Sequence, residues 1–181
     1  MIMPGRTGDE GSGTRLTHVD EHGKAHMVDV TAKAPTLRIA EARCSVRTTA
    51  DVTEVLADPT GPDLLEAARF TGILAAKRAS SLIPLCHPIR IDGVAVDVQQ
   101  ASDGFRIIAE AVATDRTGVE MEALTACAAA ALVLFQPLLD VDPLTSIEGL
   151  TLWRKTGGRS GTWQRWEDGE IQVENQASLR R

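Results

Sequence analysis

Apolar and polar residues alternate from Thr36 to Thr48, where Leu37, Ile39, Cys44 and Val46 sit among small and charged residues. That period of two is the pattern of a half-buried strand, and its slip near Ala40 predicts a bulge. A short helical turn is expected over Asp51–Ala57 before Asp58-Pro-Thr-Gly-Pro62 breaks the chain. Pro62 stands where a helix can begin, and residues 63–79 are helical by composition. Within them Ala67, Ala68, Gly72, Ala75 and Ala76 would let another backbone approach closely. Ile91–Gln99 alternates, Ser102-Asp-Gly104 turns, and Phe105–Val112 alternates again, which predicts a β-hairpin. Val119–Phe135 predicts a long Ala/Leu helix that Pro137 should stop. Ile147–Trp153 predicts a last strand. The order β-α-β-β-α-β gives a ferredoxin-like α+β sandwich, with two main helices on one face of an antiparallel sheet.

Outside these patterns lie residues 1–15 and 162–181, polar stretches expected to be tails flanking one domain at 16–161. The 181 residues are 43% apolar and 24% charged, ordinary for a globular chain. Aromatics are scarce, with three Phe, three Trp and no Tyr, so the core must be built from small aliphatic residues. The net charge of −6 argues against a nucleic-acid partner, which would need a basic surface. The longest apolar run, Ala123–Phe135, is too short for a bilayer, and the N-terminus has no signal core, so a cytoplasmic protein without a membrane partner is expected. Cys44, Cys86 and Cys127 form neither a disulfide framework nor a paired metal motif.

Three histidines, His18, His22 and His26, follow a four-residue spacing, but Gly23 and the alternation around them favour solvated loop residues over a metal site. His87 is held between Pro84 and Pro88 on a stiff, extended loop. An imidazole fixed there suits proton transfer, and suits equally a hydrogen bond that holds the loop. Thr117-Gly-Val-Glu120 matches a capping box. Glu122 lies about 200° further round the helix. The two glutamates suit an acid/base pair or compensation of the helix dipole. Lys155-Thr-Gly-Gly-Arg159-Ser-Gly161 offers two cations and free backbone amides that could cradle phosphate, or a flexible exit from the last strand.

Taken together, Leu16-Thr-His, HMVDVTAK (26–33), AARFTGILAAKR (67–78), IPLCHP (83–88), TGVEMEALTA (117–126) and GGRSG (157–161) closely resemble the cyclic pyranopterin monophosphate synthase, or MoaC, family of molybdenum-cofactor biosynthesis. The resemblance spans roughly residues 16–161. It implies a ferredoxin-like fold, a homo-oligomer (a hexamer built from dimers) with sites between subunits, and a small, phosphorylated substrate. The family rearranges a 3′,8-cyclised GTP into the cyclic pyranopterin with loss of pyrophosphate, a lyase-type cyclisation that needs no cofactor or metal. Carried onto matching positions, His87 and Glu120 would be catalytic. Leu85, Cys86, His87, Met121, Glu122, Lys155 and Arg159 would bind substrate.

Three positions depart from the family pattern. A lysine expected before the first long helix is Gly61, and an aspartate and a lysine expected late in the second are Gln136 and Leu139. Glutamine cannot act as a base, and Gly and Leu carry no titratable group. Asp140 and Asp142 are the nearest carboxylates to Gln136. These losses point to an enzyme repurposed for cyclisation, elimination or rearrangement of another small molecule, in a natural-product pathway. The alternatives are a working cyclic pyranopterin monophosphate synthase and an inactive paralogue that binds a ligand or an active relative.

Overall fold

The computed structural model describes residues 18–57, 63–158 and 161–166, and the backbone of 171–174. Ten elements follow in order: β1 (Thr36–Arg47), α1 (Val52–Leu56), α2 (Leu64–Ala76), α3 (Ala79–Leu82), β2 (Gly93–Ala101), β3 (Gly104–Asp115), α4 (Glu120–Val141), β4 (Ser146–Thr156), β5 (Thr162–Arg165) and β6 (Ile171–Glu174). The strands form one sheet in the order β2-β3-β1-β4-β5-β6, with every neighbouring pair antiparallel. The first four strands have the ferredoxin-like arrangement expected from the pattern.

Alternation along β1 and β3 decides which face is covered. Ala40, Ala42, Cys44 and Val46 of β1 and Phe105, Ile107, Ala109, Ala111 and Ala113 of β3 are buried under the helices. The small side chains have a geometric consequence where α2 crosses α4. A β-carbon at Gly72 would stand 2.9 Å from the carbonyl oxygen of Ala126 and 3.0 Å from Val96 Cγ2. Glycine there permits close helix packing, and the helix faces meeting it are mostly alanine. Cys44 and Cys127 meet in this core with their sulfurs 3.3 Å apart, both as free thiols.

The structure corrects several expectations. Pro137 does not end the second main helix, which runs on to Val141. Proline removes one backbone donor, but Leu138, the next residue, is fully buried and anchors the continuation. Asp142 N–H then bonds the Leu138 carbonyl at 2.8 Å to close it. The slip near Ala40 belongs to the partner strand: β1 pairs β3 without interruption from Thr36 to Arg47. Register breaks only against β4, between Glu41 and Ala42 and between Arg43 and Ser45. Gly149, at φ 63°, lies in the second break. At the first, Trp153 drops out of the ladder, and the Arg43 guanidinium sits 4.1 Å from its ring centre.

The C-terminal stretch read as a tail contributes β5 and β6 to the sheet edge, so the folded unit continues past residue 161. Residues 1–15 lie outside the described residues. At 22 residues α4 is long and apolar enough to cross a membrane, longer than the 13-residue run suggested. Its buried residues Ala123, Ala126, Cys127, Ala130, Ala131, Leu134 and Leu138 join the core cluster, which makes it a core helix.

Candidate active site

At one end of the sheet a cavity of about 760 Å³ is bounded by four segments far apart in sequence. The first runs from His18 to Lys33. A bridge between Val19 and Ala25 folds its start back on itself, and Asp20 Oδ1 accepts from His22 N and Lys24 N at 2.9 and 2.8 Å. Asp29 then accepts from both Thr31 N and Thr31 Oγ1, at 2.8 and 2.6 Å, and Lys33 N closes a turn on Val30 O at 3.0 Å. The turns bring His18, Val28, Val30 and Lys33 to the cavity wall. His22 and His26 stay exposed.

The second segment is the loop after α3, which carries Leu85, Cys86 and His87 into the cavity. Pro84 and Pro88 stiffen it, and Cys86 N bonds Ile83 O at 3.0 Å to turn it. The third segment, the start of α4, brings Thr117, Gly118, Glu120 and Met121. The fourth is sheet: Arg38 of β1 with Leu152 and Lys155 of β4. Lys155 pairs with Ala40, whose side chain is buried under the helices, so its ammonium rises on the helix-covered face. There it donates to Glu120 Oε1 at 3.1 Å.

This contact undoes the expected capping box. The N-cap of α4 is Val119, which offers no side-chain bond, and Thr117 does not cap the helix. Glu120 turns into the cavity above Gly118, where any β-carbon would collide with its carboxylate. Glu122 is not beside it in the cavity. It is only 2% exposed and sits behind Cys86, whose thiol donates to Glu122 Oε1 at 3.3 Å. Burial is the main cause that raises the Glu122 carboxyl, and the Glu120 charge adds to it against its own backbone N–H and the thiol. The thiol of Cys86 is pushed up to about 12 by burial first, then by the charge and hydrogen bond of Glu122 and the charge of Glu120.

The structure thus gathers Leu85, Cys86, His87, Glu120, Met121 and Lys155, and sets Glu122 one layer back. Arg159 and Gly61 lie outside the described residues. Gln136 and Leu139 are exposed and about 24 to 28 Å further along α4 than Glu120, at about 1.5 Å per residue. They do not line this chain's cavity. Asp142 is no substitute carboxylate either, because it is held by Thr48 Oγ1, Thr49 N, Thr49 Oγ1 and Leu144 N at 2.7–3.0 Å.

Lys33 and Arg38 carry no local sign of a site in the sequence, and His18, expected to be a solvated loop histidine, stands on the cavity wall. Arg38 donates to the carbonyls of Asp115 and Arg116 at 3.3 and 3.4 Å, and a β-carbon on Gly158 would run into its guanidinium. It therefore joins β1, the loop before α4 and the exit of β4. Lys33 fell inside one of the motifs that carried the family resemblance, and that was the available signal.

Three cations, one imidazole loop and a carboxylate, converging at one end of a ferredoxin-like sandwich, make an arrangement suited to a small anionic ligand and proton transfer. The chain belongs to the MoaC family, whose model matches residues 27–158. It is 48% identical over 152 residues to a cyclic pyranopterin monophosphate synthase of Corynebacterium efficiens, covering 83% of this chain and 98% of the relative. Cyclic pyranopterin monophosphate synthase 2 of Mycobacterium tuberculosis is 49% identical over 153 residues, 83% of this chain and 91% of its own length. The synthase of Streptomyces avermitilis is 45% identical over 169 residues, covering 91% and 99%.

These relatives overturn the expectation of an enzyme repurposed for another metabolite. Similarity at this level runs through nearly the whole of proteins named for one reaction. The substitutions that suggested otherwise at Gln136 and Leu139 leave the cavity of this chain untouched.

Proposed function

We propose that this chain is a cyclic pyranopterin monophosphate synthase, converting a 3′,8-cyclised GTP into the cyclic pyranopterin and pyrophosphate. The observation that carries this is the cavity itself, in which Lys33, Arg38 and Lys155 face His87 and Glu120. A triphosphorylated substrate brings several negative charges, and three cations against one carboxylate suit it. The step that closes the cyclic phosphate expels pyrophosphate, whose developing charge the same cations would stabilise. Rearranging the ring system moves protons between carbon, nitrogen and oxygen, and His87 and Glu120 are two of the titratable groups on the wall that would carry them. Lys155, bonded to Glu120, keeps that carboxylate oriented.

The finer part of this reading is an assembly of like subunits in which this chain is a diverged member. Phe70, Leu74, Leu132 and Leu139 are large apolar side chains exposed on the two main helices, and surfaces of that kind are commonly covered in oligomers. Gln136 and Leu139 lie on the same helix end, so a neighbouring subunit is the cavity they would serve.

Incubating the purified protein with the 3′,8-cyclised GTP tests the reaction, with pyrophosphate and the cyclic pyranopterin as readouts. Release of both in equal amounts is expected. Binding of the substrate without any release, by calorimetry on the same sample, would overturn the synthase reading. Sedimentation on that sample checks the assembly, and a monomer would remove it. Restoring Gln136→Asp with Leu139→Lys should raise turnover if those positions complete a neighbour's site.

A further inference from the structure

We propose that Cys44 and Cys127 are a redox modification site, at which a small peroxide oxidises the two core thiols to a disulfide that staples β1 to α4. Neither thiol lines the cavity, so this chemistry is separate from the synthase reading.

Cys44 belongs to the helix-covered face of β1 and Cys127 to the sheet-facing stripe of α4, 83 positions further along the chain. Their sulfurs are 3.3 Å apart, with the Cys127 S–H donating to Cys44 Sγ. The way the two side chains lie matters as much as that distance. Cys127 Sγ comes within 3.7 Å of the carbonyl oxygen of Ile107, the residue opposite Cys44 across the β1/β3 ladder. Cys44 Sγ comes within 3.8 Å of the carbonyl oxygen of Cys127 itself. Each side chain thus spans the gap between sheet and helix, and the two run alongside each other rather than tip to tip. Closing to a disulfide S–S separation of about 2.05 Å then calls for side-chain rotation, not for travel of the helix. Fully buried alanines keep the gap that narrow: Ala40 and Ala42 on β1, and Ala123, Ala126, Ala130 and Ala131 on α4.

The two thiols are not equivalent. The bond donated by Cys127 lowers the Cys44 thiol against the cost of burial, whereas the same bond and burial both raise Cys127. Cys44 is therefore the attacking thiol and Cys127 the resolving one. First the Cys44 sulfur attacks one oxygen of hydrogen peroxide, the O–O bond breaks, and the departing hydroxyl takes the thiol proton as water. This leaves a sulfenic acid on Cys44. The Cys127 sulfur then attacks the Cys44 sulfur, the S–O bond breaks, and the hydroxyl leaves with the Cys127 proton as a second water. Two thiols have lost two electrons and two protons, and one peroxide has become two waters. With Cys44 5% and Cys127 0% exposed, local opening admits a small neutral oxidant and excludes a bulky disulfide. The new bond closes a long loop of chain, which disfavours the unfolded state.

The test uses the full chain, folded and treated with hydrogen peroxide. Free thiols are then capped with N-ethylmaleimide in denaturant, and the protein is digested without reduction. Mass spectrometry should find the Cys44 peptide joined to the Cys127 peptide, with Cys86 outside the link, and dithiothreitol should undo it. The oxidised protein should melt about 5 to 10 °C above the reduced protein. Cys127→Ala should lose that difference, and its Cys44 should be trapped by dimedone as the unresolved sulfenic acid. Thiols at Cys44 and Cys127 that stay free while Cys86 is oxidised would overturn the proposal. So would a link that forms only after urea has unfolded the chain. Both of these results come from wild type, so they decide the matter even if Cys127→Ala fails to fold.

Discussion

Lys155 Nζ lies 3.1 Å from Glu120 Oε1, tying β4 to the first turn of α4 across 35 positions of sequence. Both side chains are rather more than a quarter exposed, so the pair adds on the order of 1 kcal/mol or less to stability. Its value is positional, because it aims a carboxylate and an ammonium at the same volume. Glu120→Gln and Lys155→Met should each lower turnover of the cyclised GTP by about 10² to 10⁴, the range for removing one proton-transfer or charge-stabilising group. Their melting temperatures should stay close to wild type. Loss of activity that tracks unfolding would assign the pair to structure instead.

Gly72 offers a test of the small-residue core. Alanine at an ordinary helix position gains about 1 kcal/mol over glycine. Here its methyl would stand 2.9 Å from Ala126 O, a backbone atom that cannot swing away. Overpacking of this kind costs about 1 to 3 kcal/mol and outweighs the gain. Gly72→Ala should therefore unfold at lower denaturant concentration than wild type. A more stable variant would show that the two helices can move apart freely.

What could be read from the chain, and what could not, divides along physical lines. The strands β1, β2 and β3 announced themselves because one face of each is buried and the other is not, which writes a period of two. Pro137 misled, since local chemistry says stop while the burial of Leu138 says continue, and burial is visible only in three dimensions. Glu120 misled for the same reason: its capping-box spacing was sound, but a partner 35 residues away won the carboxylate. Arg38 looked like an ordinary outward polar residue of a strand. Nothing local shows that the loops before α4 and after β4 both come to its guanidinium. β5 and β6 do not stand out in the sequence although Trp163, Ile171 and Val173 alternate with polar neighbours, because four-residue strands give too short a period.

Asp142 gives acid sensitivity a defined source. Backbone and side-chain hydrogen bonds from Thr49, Leu144 and Thr48 lower its carboxyl from 3.8 to about 2. The folded state thus holds the charged form more firmly than the unfolded chain does. Its stabilising contribution is complete above about pH 4 and is lost as pH falls through about 2. Melting curves between pH 5 and 2 should show wild type losing stability across that window. Asp142→Asn should melt lower at pH 5 and converge on wild type as the pH falls. A constant difference between the two at every pH would mean that the carboxylate charge is not what joins the end of α4 to Thr48 and Thr49.

Arg38 should separate substrate binding from chemistry. Its guanidinium faces the cavity yet is also committed to the carbonyls of Asp115 and Arg116, so its position is fixed before any ligand arrives. A cation held in this way contributes binding energy without paying to be ordered. Hydrogen bonds to charged groups are worth about 1.5 to 3 kcal/mol, which corresponds to roughly a tenfold to hundredfold rise in KM for Arg38→Ala. Arg38→Lys keeps the charge but cannot span two carbonyls and a ligand at once, so it should recover only part of the loss. Gly158→Ala approaches the same point from the other side, since its β-carbon collides with the guanidinium and its φ of 73° strains any other residue. It should raise KM in the same direction with little change in kcat. A fall in kcat at unchanged KM in Arg38→Ala would instead place the guanidinium on the transition state, with the leaving pyrophosphate as its partner.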